Sequence, residues 1–182
     1  RVRWAEGRVL AASRGVGLGA AAAGLAQRRA GDGGARLDLG VCCQAVEALL
    51  AAGQWTEAEE MAAVVVRHFP EEPRARRVFV ASGQAAAGQG LLGWDELAGR
   101  LRALRLQAGH EDHPWAAEAG ALRQAGRVQE AALLLDEALA RLPSGPGRPP
   151  VVLAVLRERL QVAVALGAFR EGAEIWKRMF EA

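Results

Sequence analysis

Apolar residues recur at helical spacing in two similar stretches of the chain, residues 51–70 and 124–143. In the first stretch the residues on one helical face are Ala58, Met61, Ala62, Val65 and Val66. In the second stretch they are Ala131, Leu134, Leu135 and Ala138. Each stretch ends at a proline, Pro70 or Pro143, and proline cannot continue a helix. The pattern therefore predicts two related helices, each the second half of a repeated unit.

A glycine marks the turn in front of each predicted second helix. Gly53, Gly126 and Gly167 are each followed, after one residue, by a bulky side chain, and a fourth turn is expected within Gly88–Gly93. Glycine tolerates the left-handed backbone conformation that ends many helices. The sequence thus predicts helix, tight turn, helix, several times over.

The repeats divide the chain into five helical hairpins in a single domain. They cover approximately residues 1–31, 39–70, 73–109, 112–143 and 150–182, with Gly/Pro-rich linkers at 28–38 and 142–150. No segment alternates convincingly with period two, so no sheet is predicted. We expect an all-α protein, a right-handed α-solenoid of four to five antiparallel hairpins.

The best-preserved repeat, residues 112–145, resembles a tetratricopeptide repeat. The matching positions are Trp115, Gly126, Ala131, Ala138 and Pro143. Other copies depart from the pattern, with Cys42 where an aromatic belongs and Gly172 where alanine is usual. The resemblance implies a non-enzymatic scaffold subunit of a larger assembly. Such a scaffold holds a helix or an extended peptide of a protein partner in a groove lined by first helices.

The last segment, FREGAEIWKRMFEA, is similar to the second helix of a pentatricopeptide repeat, with Trp176 and Met179 in its aromatic and methionine places. That resemblance implies binding of single-stranded RNA. The polar residues that usually contact bases there are scarce in this chain. The alternative is therefore an RNA-associated protein, such as an organellar RNA factor or a ribosome-associated subunit.

Six arginines in residues 74–105 form the strongest basic cluster. They are Arg74, Arg76, Arg77, Arg100, Arg102 and Arg105. Their functional interpretation is a contact for an acidic peptide or an RNA phosphate backbone, but the alternative, a solvated face, is slightly favoured. The net charge is only +2, and the chain has one lysine and no asparagine. This bias is typical of a GC-rich genome, which reduces the weight of the arginine excess.

No motif indicates an enzyme. The one lysine is followed by Arg178, which excludes a phosphate-binding loop there, and none of the three serines lies in a nucleophile motif. The run His110–His113 contains four possible metal ligands. Adjacent side chains diverge, however, and we expect a helix start at Asp112 or His113 with Pro114 as its first residue. We predict no catalytic residues, metal, cofactor or small-molecule substrate.

The apolar runs and the cysteines bear on the cellular location of the protein. No apolar run reaches the roughly 18 residues of a membrane span, so no membrane association is expected. Two adjacent cysteines, Cys42 and Cys43, cannot supply a disulfide framework, and we expect one of them to face the core. We predict an intracellular protein, with cytoplasm or organelle left open. Because the chain begins at Arg1 and ends without a polar capping helix, we expect a fragment whose last hairpin packs against further residues or a neighbour.

Overall fold

The computed structural model describes residues 38–107, 114–142 and 150–180. These ranges contain eight helices and no strand, so the predicted all-α class is confirmed. The helices are α1 Leu39–Ala51, α2 Trp55–His68, α3 Pro73–Gly88, α4 Trp94–Gln107, α5 Trp115–Gln124, α6 Val128–Arg141, α7 Pro150–Ala165 and α8 Phe169–Phe180. The predicted hairpin over residues 1–31 lies outside the described residues.

Four glycines end helices with the same hydrogen-bonded cap. Gly53, Gly90, Gly126 and Gly167 all have a positive φ, between 70° and 81°. At the first of them, the Gln54 amide donates to the Leu49 carbonyl and the Gly53 amide to the Leu50 carbonyl, and equivalent bonds recur at the other three. This is the Schellman motif, which favours glycine because other residues are strained at positive φ. The caps recur about 36 to 41 residues apart, within the range of helical repeats.

The second helix of each repeat begins at a bulky residue, as predicted. Three of them start two residues after the cap glycine, at Trp55, Val128 and Phe169, while α4 starts at Trp94. The fourth residue of the helix is small and buried in three of the four, namely Ala58, Ala131 and Gly172. Small residues there allow the neighbouring first helix to approach closely.

The chain divides into two compact units, Arg1–Leu91 and Leu92–Ala182. In the described part of the first unit, α1, α2 and α3 all pack against one another. Asp38 caps α1 by accepting a hydrogen bond from the Val41 amide at 3.1 Å, and Pro73 occupies the first turn of α3. The helix pair α1/α2 corresponds to the predicted hairpin over residues 39–70.

The second unit contains two complete hairpins, α5/α6 and α7/α8. They are stacked, because α6 packs against α7 and the two first helices, α5 and α7, also pack together. In addition, α4 packs against α5. A buried cluster of Val152, Leu156, Ala163 and Ile175 joins α7 to α8, and Leu139 of α6 packs on it.

The segment predicted as one hairpin over residues 73–109 contains α3 and α4, and the division between the compact units, between Leu91 and Leu92, falls within it. One predicted helix start differs from the structure. Pro114 is the residue before α5 rather than its first residue, since the helix begins at Trp115. Its ψ of 56° is outside the helical range, which accounts for this difference of one residue.

Candidate partner-binding site

Three of the predicted contact arginines lie on α3, in the first unit. The Arg74 Nη2 binds the Glu47 Oε1 at 3.2 Å, which ties α3 to α1. Arg76 is buried, and its Nη1 donates to the carbonyl oxygen of Pro70 at 3.1 Å. Arg77 is exposed. A partner would therefore meet Arg77, and the half-exposed Arg74 only in competition with Glu47.

The other three lie on α4, in the second unit. Arg100 binds Glu96 one helical turn earlier, at 2.8 Å, and Arg102 is exposed. Arg105 is largely buried and holds the Glu118 carboxylate of α5 with two hydrogen bonds, of 3.1 and 3.4 Å. The six arginines thus have different environments. Arg77 and Arg102 are the two that are exposed, whereas the other four are buried or bind a carboxylate or a carbonyl oxygen.

Trp115, predicted as the aromatic of the best-preserved repeat, is buried, and two arginines approach its ring. The guanidinium carbon of Arg105 lies 5.2 Å from the centre of its ring, and that of Arg141 lies 6.0 Å away. Both distances are within the range of cation–π attraction. This arrangement stabilises the fold around α5 and leaves the ring inaccessible to a ligand.

Further arginines join helices within the second unit. The Arg123 Nε of α5 binds Glu158 of α7 at 2.7 Å. Arg159 of α7, also buried, binds Asp136 of α6 at 2.9 Å and Glu171 of α8. These pairs cannot be recognised from the sequence, because their members lie 12 to 35 residues apart. Their role is structural, since each fixes neighbouring helices.

Arg127 bridges α6 and α4 in the same way. Its guanidinium binds Glu130 at 2.6 and 2.7 Å and Asp95 at 3.2 Å. The hydrogen bond from Arg127 lowers the pKa of Glu130 below its ordinary value, because it favours the ionised carboxylate. The same contacts raise the pKa of Arg127.

Both cysteines are buried, whereas the sequence predicts only one in the core. Helix α1 packs against α2 and also against α3, so two adjacent side chains, pointing about 100° apart, can both be covered. Burial raises the pKa of the Cys43 thiol, although Arg74 acts in the opposite direction. Neither residue therefore has the accessible thiol of a reactive cysteine.

Helix α8 carries three large exposed apolar side chains on one face. These side chains, which we call the aromatic row, are Phe169, Trp176 and Phe180, exposed to 71%, 56% and 69%. They are seven and four residues apart and so share one helical face. The rings of Trp176 and Phe180 contact each other, with centres 4.6 Å apart. Met179, placed beside Trp176 in the pentatricopeptide resemblance, instead points inward to the α7/α8 cluster.

The sequence contains the signal for this row but not its exposure. Spacing of i, i+7 and i+11 identifies a face, and an apolar face normally predicts core. Here α8 has a second apolar side, with Gly172 and Ile175 buried against α7, and that side supplies the core contact. An exposed apolar patch of this kind often marks an interaction site.

The ranges 38–107, 114–142 and 150–180 contain no group of three His, Cys, Asp or Glu residues that could hold a metal. The run at residues 110–113 lies outside them. Among the helices of these ranges, none is long and apolar enough to cross a bilayer. No family model, curated protein or solved structure matches the chain.

Proposed function

We propose that the protein is a non-enzymatic helical-repeat scaffold, tetratricopeptide-like, that binds another protein as a subunit of a larger assembly. The observation that carries this proposal is the aromatic row of α8. Three large apolar side chains on one face lose little conformational entropy on binding and offer substantial area to bury. A soluble chain seldom leaves such a row facing water unless a partner covers it.

The surrounding architecture supports a passive, rigid role. The hairpins repeat the same glycine cap, and arginine–carboxylate pairs such as Arg123–Glu158 connect one first helix to the next. Buried charged side chains, including Glu118 and Arg159, are engaged by opposite charges on neighbouring helices. These groups serve packing, which leaves the exposed faces as the surfaces for binding.

Site-specific photo-crosslinking tests the proposal. A photoreactive phenylalanine replaces Trp176 in the full chain, which is then irradiated in extracts of cells that express the protein natively. We expect discrete adducts that protease removes and RNase does not. The matched control places the same group at Leu133, an apolar side chain on α6 that is 70% exposed. Absence of adducts at position 176, or equal adducts at both positions, would contradict the proposal.

The RNA-binding alternative depends on fewer groups than the sequence indicates. Arg77 and Arg102 remain the exposed candidates of the predicted cluster. Binding of labelled single-stranded RNA, measured at several salt concentrations, tests this alternative. The double variant Arg77→Gln/Arg102→Gln is compared with Arg67→Gln/Arg157→Gln, which removes the same charge from two other exposed sites. If RNA binds at Arg77 and Arg102, its affinity falls as the salt concentration rises. The Arg77→Gln/Arg102→Gln variant then reduces the slope of log affinity against log salt by about one to two. RNA binding that does not depend on salt, or equal salt slopes for the two double variants, would exclude RNA binding at these arginines.

A further inference from the structure

Helix α8 has fewer buried residues than any other helix that the structure describes. Gly172 and Ile175 are buried on it, whereas four residues are buried on α6 and six on α7. Because Gly172 has no side chain, Ile175 is the one large side chain that α8 buries, and Met179 adds a partly buried contact. The aromatic row lies outside this contact and is more than half exposed. The attachment of α8 to α7 therefore depends on a small apolar area.

The packing of α8 also leaves it separable from the rest of the second unit. Among the described helices, α8 packs mainly against α7, whereas α6 packs against both α5 and α7. A Cβ added at Gly172 would lie 3.4 Å from the Leu160 Cδ1 and 3.9 Å from the Ala163 Cβ, so α8 covers this part of α7 closely. The turn between the two helices is residues 166–168 and contains Gly167 at a φ of +70°. Rotation at this turn removes α8 while α5, α6 and α7 keep their contacts with one another.

An ion pair also joins α8 to α7, and its cation is shared with α6. The Arg159 Nη2 donates to Glu171 of α8 and, at 3.4 Å, to the Asp136 Oδ2 of α6, while the Arg159 Nε donates to the Asp136 Oδ1 at 2.9 Å. Arg159 is 6% exposed, so a guanidinium left there without a carboxylate would be unfavourable. When α8 leaves, Arg159 keeps both hydrogen bonds to Asp136. Asp136 therefore makes the release of α8 easier.

We propose that α8 is a displaceable strap: it opens from α7 as a unit while α5, α6 and α7 stay folded, and Asp136 retains Arg159 when it does. A helix of 12 residues is marginal in water by itself, so α8 loses its helical hydrogen bonds when it opens. Opening uncovers an apolar face of α7 at Leu160 and Ala163, and a molecule that binds this face would select the open state. The inference concerns the attachment of α8 and does not depend on what binds the aromatic row.

Amide hydrogen exchange of the full 182-residue chain, followed by NMR at neutral pH and corrected for intrinsic rates, tests the proposal. The α8 amides from Gly172 to Phe180 should exchange at least about tenfold faster than the slowest amides of α5, α6 and α7, because local opening needs less free energy than unfolding of the unit. Rates within α8 should resemble one another. Equal protection in α8 and α7, or a loss of protection confined to the last turn of α8, would overturn the proposal.

A core substitution on α6 separates the release of α8 from unfolding of the whole unit. Leu135→Val removes one carbon from a fully buried side chain, and α6 stays folded when α8 opens. The slowest amides of α5, α6 and α7 should therefore exchange about two- to tenfold faster, while those of α8 keep their rate. Ile175→Val is the matched control on α8 and should accelerate the α8 amides. If Leu135→Val accelerates α8 as much as α5, α6 and α7, the helices unfold together and the proposal is wrong.

Asp136→Asn should move the two sets of amides in opposite directions. The substitution weakens the closed chain relative to the unfolded one, so α5, α6 and α7 should exchange faster. In the open chain Arg159 would have neither of the carboxylates that bind it here, so α8 should exchange about two- to fivefold more slowly than in the parent chain. The control is Glu137→Gln, which removes a carboxylate that pairs with Arg141 on the same helix and should leave the α8 rates unchanged. Unchanged or faster exchange of α8 in Asp136→Asn would overturn the proposal.

Discussion

Arg105 of α4 donates from Nε to the Oε2 of Glu118 on α5 across 3.1 Å, and the Glu118 side chain is only 3% exposed. A carboxylate at this depth has lost most of its hydration, which is costly unless a charged partner replaces it. The Arg105 guanidinium does so while lying over the Trp115 ring. The contact between α4 and α5 therefore depends on a charge pair, and one member of it, Arg105, is a residue that the sequence suggested as a contact for a partner.

Replacing Arg105 by methionine should strongly destabilise the second unit. Glu118 would stay buried and lose both hydrogen bonds from the Arg105 guanidinium, so we expect the free energy of unfolding to fall by about 3 to 5 kcal/mol. Urea denaturation followed by circular dichroism measures this. The matched control is Arg100→Met on the same helix, whose exposed pair with Glu96 should be worth less than about 0.5 kcal/mol.

The double variant Arg105→Met/Glu118→Met separates the loss of the charge pair from the loss of packing as the cause of the destabilisation. Because it removes both charges, it should recover part of the loss seen with Arg105→Met alone. If the double variant is less stable than the single variant by the full cost of a second core substitution, packing rather than charge explains the effect. Equal losses for Arg105→Met and Arg100→Met would also contradict the prediction.

Gly172→Ala should stabilise the chain. The added methyl group would lie 3.4 Å from the Leu160 Cδ1 and 3.9 Å from the Ala163 Cβ, which are ordinary contacts. The helix also gains from losing a glycine, by about 0.4 to 1 kcal/mol. Thermal unfolding measures the gain. In contrast, the methyl group added by Gly126→Ala would meet open space, but the φ of residue 126 is +81°. Because alanine is strained at that φ, this variant should lower the free energy of unfolding by about 1 to 2 kcal/mol. A destabilising Gly172→Ala would show that Leu160 cannot adjust.

The turns and helix starts were predictable because their cause is local. A left-handed cap favours glycine whatever surrounds it, so Gly53, Gly126 and Gly167 could be assigned from sequence, and Gly90 fell within the predicted turn Gly88–Gly93. The apolar face of α6 was also predictable, because α-helical spacing alone places Ala131 and Ala138 on one side.

The arginines could not be assigned in this way, because their environments depend on distant residues. Arg76 and Arg77 are neighbours in sequence, yet one is buried against the Pro70 carbonyl and the other is exposed. Arg105 finds its carboxylate 13 residues away. The aromatic row is a similar case, because spacing identifies a face but does not say whether another helix covers it.

The Cys43 thiol should make stability depend on pH in alkaline solution. Its pKa is raised in the folded chain, chiefly by burial, so folding favours the neutral thiol. This contribution is complete below the unfolded pKa of about 8.5 and is lost as the pH rises towards the folded pKa. The chain has no tyrosine and one lysine, so few side chains titrate in this window.

We therefore expect the free energy of unfolding to fall between pH 8 and pH 10, and Cys43→Ala to reduce that slope. Urea denaturation at each pH measures it. Because the substitution also removes core volume, the comparison uses the slope and not the absolute stability. Cys42→Ala is the neighbouring control. An unchanged slope in Cys43→Ala would contradict the assignment.

Glu130 should titrate at an unusually low pH because Arg127 binds both of its carboxylate oxygens. A carboxylate whose folded pKa is lowered supports folding above its unfolded pKa and loses that support as the pH falls through the folded pKa. Carbon-detected NMR of the glutamate side chains should locate its midpoint below the ordinary value of about 4.3. In Arg127→Gln the midpoint should rise towards that value. Asp95→Asn is the matched control: it removes the other carboxylate that Arg127 binds and leaves the Glu130 contact in place, so the midpoint should stay low. A Glu130 midpoint that is the same in the parent chain and in Arg127→Gln would show that the pair does not persist in solution.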